Sequence, residues 1–273
     1  MSRQTVHTHR VDGKHWKRLA MVKERVFPAS VAHISSLHDN CGASFDHATA
    51  LVGLRSALGA PADHVAEAVT WVRDVGVALF RRGMLEREDH VTASIAGRAV
   101  DVPGGPSYWN SAPRWADAVG AALSLRDEDA LVQLCAFPAD GFLGSYARYH
   151  DTYARAVMAA LAGDLSGRDL FLESVEQAER ADTFPIRGRL YGAPLARLAL
   201  AVLAGDQAEY TVRLTEGLEA FATLYGQGQD RQDPRGVVPL RYVGWCARAH
   251  DAGLTLEVES DYLPPYLVEG LAS

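Results

Sequence analysis

The residues of this chain that could bind a metal or do chemistry are its histidines, cysteines and carboxylate pairs. His7 and His9 lie two positions apart near the N-terminus, and His33 and His38 are five apart, which places them on different sides of a helix. Metal and nucleophile sites need tighter sets, such as His-Glu-x-x-His, Cys-x-x-Cys or Gly-x-Ser-x-Gly, and the sequence contains none of these. The spacing therefore predicts no metal, no cofactor and no catalytic residue.

The remaining reactive residue types also have structural interpretations. Cys41, Cys135 and Cys246 are widely spaced, odd in number and surrounded by apolar residues, which predicts buried free thiols in preference to a disulfide or a metal cluster. The pairs at 150–151 and 250–251 are both His-Asp and lie at the ends of predicted helices. Sequence neighbours do not face each other on a helix, so we interpret both pairs as helix caps and not as general bases.

Length and composition describe a globular chain. Its 273 residues are 48 % apolar and 22 % charged, enough to bury a sizeable core as one large domain or two smaller ones. We predict a single, mainly helical domain over residues 1–273. No apolar run approaches the roughly 18 residues that a membrane helix needs, and the polar N-terminus has no signal-peptide core. The prediction is a cytoplasmic protein without a membrane partner.

Charge is unevenly distributed along the chain. Residues 1–30 carry seven Lys or Arg and two acids, a net +5, so the rest carries −12 and the whole chain −7. The basic segment of residues 1–28 is either a solvated helix or an arm that reaches an acidic surface, such as that of a second copy in a homodimer. The acidic remainder disfavours nucleic-acid binding, which needs clustered basic side chains, and suits a basic protein partner.

The first hundred residues contain a helical pattern and then a strand pattern. Residues 13–26 predict a helix that Phe27-Pro28 ends, because proline disfavours helical geometry in the residue before it. A second helix is expected at 29–37. Residues 91–102 alternate in polarity on both sides of Ala96-Gly97, which predicts a β-hairpin.

From residue 125 onward the chain shows a weak internal repeat. An alanine- and leucine-rich helix ends, and another begins, at each of Leu125-Arg126-Asp127, Leu161-Ala162-Gly163-Asp164 and Leu203-Ala204-Gly205-Asp206. The aspartates are 37 and 42 residues apart, a period typical of helical-hairpin repeats. We predict an all-α fold, an antiparallel helical-hairpin stack resembling an α-solenoid, with one small β-hairpin and a short C-terminal strand. Such stacks expose an elongated surface that suits protein ligands.

The last forty residues change from helical to strand periodicity. Apolar side chains recur at helical spacing through residues 238–251, and Gly253 can cap the end of that helix. Residues 254–258 then alternate between apolar and polar, which predicts a short strand. Glu257 and Glu259 form its acidic edge.

Two stretches resemble the immunity protein 49 family, whose members are cytoplasmic partners of bacterial polymorphic toxins. In residues 108–135 a polar and aromatic segment leads into an apolar helix, an Arg-Asp turn and a short helix that ends at a cysteine. Residues 238–269 contain the helix, the strand and a Pro-Pro pair. The first eighty residues match in helical character more than in motif. The resemblance implies an all-α intracellular protein that binds and silences a cognate toxin without catalysis.

On this interpretation the toxin-binding surface includes Glu257, Glu259, Asp261 and Tyr262. These residues would contact a basic toxin, and their opposite charge would speed the association of the two proteins. The alternative is a solvated edge above a packed tyrosine. Trp109 is a further candidate contact, or it packs against the core or the hairpin.

A second hypothesis is a non-enzymatic scaffold or regulatory protein, homodimeric through the N-terminal segment, that binds another protein. A third, an enzyme, would require a deep pocket with convergent titratable groups. The sequence favours the first two.

Overall fold

Helices make up most of the chain that the computed structural model describes, which is residues 4–8, 13–37, 39–144 and 147–270. The helices are α1 (Gly13–Ala32), α2 (Asn40–Ala57), α3 (Ala62–Arg82), α4 (Ala112–Leu125), α5 (Glu128–Cys135), α6 (Arg148–Leu161), α7 (Ser166–Glu179), α8 (Pro185–Arg187), α9 (Ala193–Ala204), α10 (Gln207–Tyr225), α11 (Leu240–Asp251) and α12 (Pro265–Val268). The strands are β1 (Gln4–Val6), β2 (His90–Ile95), β3 (Arg98–Pro103) and β4 (Val258–Ser260).

Consecutive helices pack against each other, which confirms the predicted helical-hairpin stack. The pairs are α2 with α3, α6 with α7 and α9 with α10. Helix α4 lies at the centre and contacts α3, α5, α6 and α11. The main cluster of buried apolar side chains extends from Val6 to Val268. Among the helices described here, none is both long and apolar enough to cross a membrane.

The repeated turns end and begin helices as predicted. Arg126 and Gly205 have φ angles of 56° and 65°, in the left-handed region, directly after α4 and α9. Asp127 and Asp206 each accept a hydrogen bond from the backbone N–H three residues later, at 2.9 and 3.0 Å. These bonds cap α5 and α10, so local chemistry sets where these helices begin.

The strands form two pairs that lie against the helices. β2 and β3 are the predicted hairpin, and Ala96 and Gly97 in its turn have φ angles of 51° and 73°, as a type I′ turn requires. β4 overlaps only the end of the predicted C-terminal strand, because it begins at Val258 and residues 254–257 are not in a strand. It pairs in parallel with β1, so that Thr5 lies opposite Glu259.

Helix α1 is one continuous helix, so the predicted break at Phe27-Pro28 is wrong. Pro28 lies inside it and lacks the N–H that would bond to the carbonyl four residues earlier. Phe27 and Val31 are both buried, and the Phe27 ring stacks on Trp71 with centroids 4.6 Å apart. Packing of this face outweighs the local preference of proline.

Within the basic N-terminal segment, the structure describes strand β1 and helix α1. Trp16 of α1 is buried, and Lys23 donates a hydrogen bond to Nδ1 of His47 in α2 at 2.8 Å. On the outer side, Met21 and Val22 are 71 % and 51 % exposed. One face of the helix therefore belongs to the core, and the other presents apolar and basic side chains to solvent.

Candidate functional site

The predicted acidic residues of the C-terminal strand lie on the surface. Glu257, Glu259 and Asp261 are exposed, and Glu257 accepts a hydrogen bond from Oγ1 of Thr211 in α10 at 3.1 Å. None of the three forms an ion pair with a residue that the structure describes. We call these three residues the acidic edge.

The two aromatic candidates do not lie open on this edge. Tyr262 is fully buried, and its ring packs edge-to-face on Phe221 at 5.2 Å. Its burial matches the alternative of a packed tyrosine beneath a solvated edge. Trp109 is half-buried over Gly42 of α2, and the Arg114 guanidinium lies 4.4 Å from its ring centre.

The cysteines are free thiols, as predicted, and burial makes them unreactive. Cys41 and Cys246 are buried, and desolvation raises the pKa of each thiol to about 12. Cys135 is half-buried with its pKa raised to about 11 for the same reason. A thiol reacts as the thiolate, so these values disfavour nucleophilic roles. In the described part of the chain, no group of three or more His, Cys, Asp or Glu could hold a metal ion.

Helices α4 and α11 cross closely at two glycines. A Cβ on Gly120 would lie 2.5 Å from the Leu240 carbonyl oxygen, and a Cβ on Gly244 would lie 2.7 Å from the Gly120 carbonyl oxygen. Any larger residue would force the helices apart. The crossing joins the two stretches that resemble the immunity family and places Arg241 against Asp117.

Arg241 is a buried charge at the start of α11, with 7 % of its surface exposed. Its Nε donates to Asp117 at 2.6 Å, and its Nη2 donates to the Pro113 carbonyl at 2.8 Å. The guanidinium also lies 5.1 Å from the centre of the Tyr191 ring. Burial opposes its charge, but Asp117, through its charge and its hydrogen bond, acts together with Tyr191 and Tyr153 to offset this, so the pKa of Arg241 lies above its usual value.

Arg241 forms one wall of a cleft of about 410 Å³, which we call the arginine cleft. The residues that line the whole cleft belong to α2, α4, α6, α8, α10, α11 and the segments next to these helices. The charged and hydroxyl-bearing aromatic residues that line it are Asp46, Arg114, Asp117, Tyr149, His150, Arg187, Tyr191, Tyr225, Arg235 and Arg241.

Each of the other cleft arginines has a carboxylate partner. These pairs are Arg114 with Asp46 at 3.1 Å, Arg187 with Asp230 at 2.5 Å and Arg235 with Asp233 at 2.6 Å. Asp230 and Asp233 do not line the cleft. The lining therefore carries four arginines and two aspartates, and the other two aspartates bind Arg187 and Arg235 from outside it.

A π-helical turn, Gly188–Gly192, brings Tyr191 to the cleft. Such single turns occur mostly within α-helices and frequently at functional sites. Gly192 lets the turn pass close to Tyr149, because a Cβ there would lie 2.6 Å from Cε2 of that ring. The rings of Tyr149 and His150, in the first turn of α6, have centroids 4.1 Å apart.

His150 lies in the cleft wall in its neutral form. Desolvation, followed by the charges of Arg241 and Arg187, lowers its pKa from 6.5 to about 3. The Tyr149 hydroxyl next to it is buried and has no hydrogen-bond partner among the described residues. Burial also raises the pKa of Tyr149. The cleft thus combines cationic groups with neutral polar groups.

Sequence reasoning missed this cleft. The sequence indicates only that His150 is one member of a His-Asp pair that caps a helix. The pair does lie at a helix end, but the N-cap of α6 is Ala147, so His150 and Asp151 lie inside the first turn and not at the cap position. The signal that could have revealed the cleft is Arg241 within Val-Val-Pro-Leu-Arg-Tyr-Val, a lone charge in an apolar run. A charge in such a position is rarely buried unless it has a partner.

Comparison with known proteins identifies the family. The sequence model of the family described as immunity protein 49 matches residues 54–267. This range contains residues 108–135 and all but the last two residues of 238–269, and it begins within α2, earlier than the resemblance seen in the sequence. No curated protein and no solved structure matches the chain. Because the match covers most of its length, the chain belongs to the immunity protein 49 family.

Proposed function

We propose that this chain is an immunity protein that binds and neutralises a cognate bacterial polymorphic toxin in the cytoplasm, without catalysis. The observation that carries the proposal is the family match over residues 54–267. The helical stack agrees with it, because such stacks present extended surfaces for protein ligands. The raised pKa values of all three thiols support a role in binding and not in covalent chemistry.

The acidic edge is the proposed contact with a basic face of the toxin. Its three carboxylates are exposed and have no cationic partner among the described residues, so their field reaches into solvent. Complementary charge of this kind raises the rate of encounter and is weakened by salt.

Co-expression with the variable C-terminal domain of a toxin encoded next to this chain tests the proposal. The chain should restore growth and co-purify with that domain. The triple variant Glu257→Gln, Glu259→Gln, Asp261→Asn should slow association about tenfold at low salt, because steering depends on the opposite charge. Stopped-flow measurements at low and high salt would give these rates.

A matched control removes the same charge elsewhere. The variant Glu86→Gln, Glu88→Gln, Asp89→Asn neutralises three exposed acids before the hairpin and should associate like the original chain. Equal slowing in both variants would assign the effect to net charge and not to the acidic edge. If the original chain neither restored growth nor formed a complex, neutralisation of that toxin would be rejected.

A homodimeric scaffold that binds another protein is the second candidate, favoured by the outer face of α1. Met21 and Val22 are exposed there, and Arg18 and Arg25 line the same shallow groove. Apolar side chains among basic ones would suit an acidic surface of a second copy.

Light scattering tests this second candidate. Deleting the basic segment of residues 1–28 would also remove Trp16 and Phe27 from the core. The double variant Met21→Lys, Val22→Lys changes only the outer face of α1 and is therefore the more specific test. This variant should be monomeric where the original chain is a dimer, and Leu165→Lys, at a residue that is 92 % exposed after α6, should leave the dimer intact. A monomeric original chain would contradict dimerisation.

A further inference from the structure

The arginine cleft presents more hydrogen-bond donors than its own chain uses. Among the described residues, the Arg235 guanidinium bonds only to Asp233, through Nε and Nη2. Nη1 of Arg241 makes no hydrogen bond with any described residue, since its Nε and Nη2 make the bonds to Asp117 and Pro113. A guanidinium carries five N–H donors in a fixed plane. Both lining arginines therefore keep N–H donors that the described chain does not use.

A buried hydroxyl in the same wall also lacks a partner. Tyr149 is 2 % exposed, and its hydroxyl makes no hydrogen bond within the described chain. Buried polar side chains almost always have a partner, so an exception in a cleft wall points to a group that binds there.

The electrostatic character of the cleft agrees with an anionic group. Arg187 and Arg235 have their aspartate partners outside the lining, and their side chains are 38 % and 50 % exposed. Burial, and after it the charges of Arg241 and Arg187, lowers the pKa of His150, so both arginines act on this point of the wall.

We propose that the arginine cleft binds an oxyanion, a carboxylate or a phosphate, carried on a small or narrow ligand. Planar guanidinium groups bind both oxyanions through paired N–H bonds. The volume of about 410 Å³ lies in the range of small-ligand sites. The rings of Tyr191 and Tyr225 line the remaining space and would pack against the body of the ligand. This site is separate from the acidic edge and does not depend on toxin neutralisation.

Isothermal titration calorimetry of the full chain with inorganic phosphate and with succinate tests the proposal. The original chain should bind at least one of these probes. Arg187→Gln and Arg235→Gln should each weaken that binding about tenfold, the effect of losing one charge-assisted contact of about 1.4 kcal/mol. Both side chains are partly exposed, so these variants should fold, and circular dichroism would verify it.

The matched control is Arg180→Gln, at a side chain that is 82 % exposed and lies outside the cleft. It should bind like the original chain. Binding of phosphate alone would assign the site to a phosphorylated small molecule, and binding of succinate alone would assign it to a carboxylate, such as an acidic side chain of a protein partner.

Two results would overturn the proposal. One is the absence of binding heat with either probe, and the other is binding that the cleft variants and the control affect equally. Because the probes act without a toxin, either result would leave toxin neutralisation untouched. Conversely, failure to rescue growth would not affect oxyanion binding.

Discussion

The acidic edge and the arginine cleft use charge in opposite ways, although the last part of the chain contributes to both. The carboxylates of the edge are exposed and unpaired within the described chain, whereas every arginine of the cleft has an aspartate partner. Exposed charges act over about 8 to 10 Å in salt and add little to stability. A buried charge must be balanced by its neighbours. The edge therefore suits encounter with a partner, and the cleft suits retention of a ligand.

The largest expected effect on stability is at the buried Arg241–Asp117 pair. Arg241→Met should lower the free energy of unfolding by about 3 kcal/mol, because it leaves a carboxylate in the interior without its partner. Urea unfolding followed by circular dichroism measures this loss. Adding Asp117→Asn to the same variant should recover part of it, since the unpaired charge is then gone. A loss below about 1 kcal/mol, as for surface pairs, would remove the distinction between cleft and edge.

Acid should destabilise the protein through His150. The unfolded chain binds a proton at this residue near pH 6.5, while the folded chain binds it only near about 3. Between these values the unfolded state holds more protons, so stability falls as the pH falls. His150→Gln should reduce this acid sensitivity, measured as the shift of the urea midpoint below pH 6.5. His250→Gln is the control, because His250 is exposed at the end of α11. Identical pH profiles for both variants would contradict the prediction.

The smallest expected effect is at the acidic edge. Neutralising Glu257, Glu259 and Asp261 together should change the free energy of unfolding by less than about 0.5 kcal/mol, as is usual for exposed positions. Thermal unfolding of this variant beside the original chain measures the change. A loss above about 1 kcal/mol would show that the edge supports the fold, which would break the contrast with the cleft.

Features set by a few neighbouring residues could be predicted from the sequence. The turn at Ala96-Gly97 and the helix boundaries at Asp127 and Asp206 depend on residues within four positions of each other, and the structure confirms them. The helix break at Pro28 failed as a prediction because the decisive contact, Phe27 on Trp71, joins residues more than forty positions apart.

The arginine cleft could not be assembled from the sequence for the same reason. Its charged residues come from separate segments, and each one alone resembles an ordinary helix residue. Arg241 and Asp117 are 124 positions apart, and only the glycine crossing of α4 and α11 brings them together. The acidic edge, by contrast, follows from local alternation around Glu257 and Glu259, so its exposure was predictable.

The parallel pairing of β1 with β4 has a practical consequence for purification. Gln4 lies opposite Val258 and Thr5 opposite Glu259, so any affinity tag fused ahead of β1 would emerge beside the acidic edge. A polyhistidine tag placed there would bring its own positive charge, or a chelated metal, to the carboxylates under study.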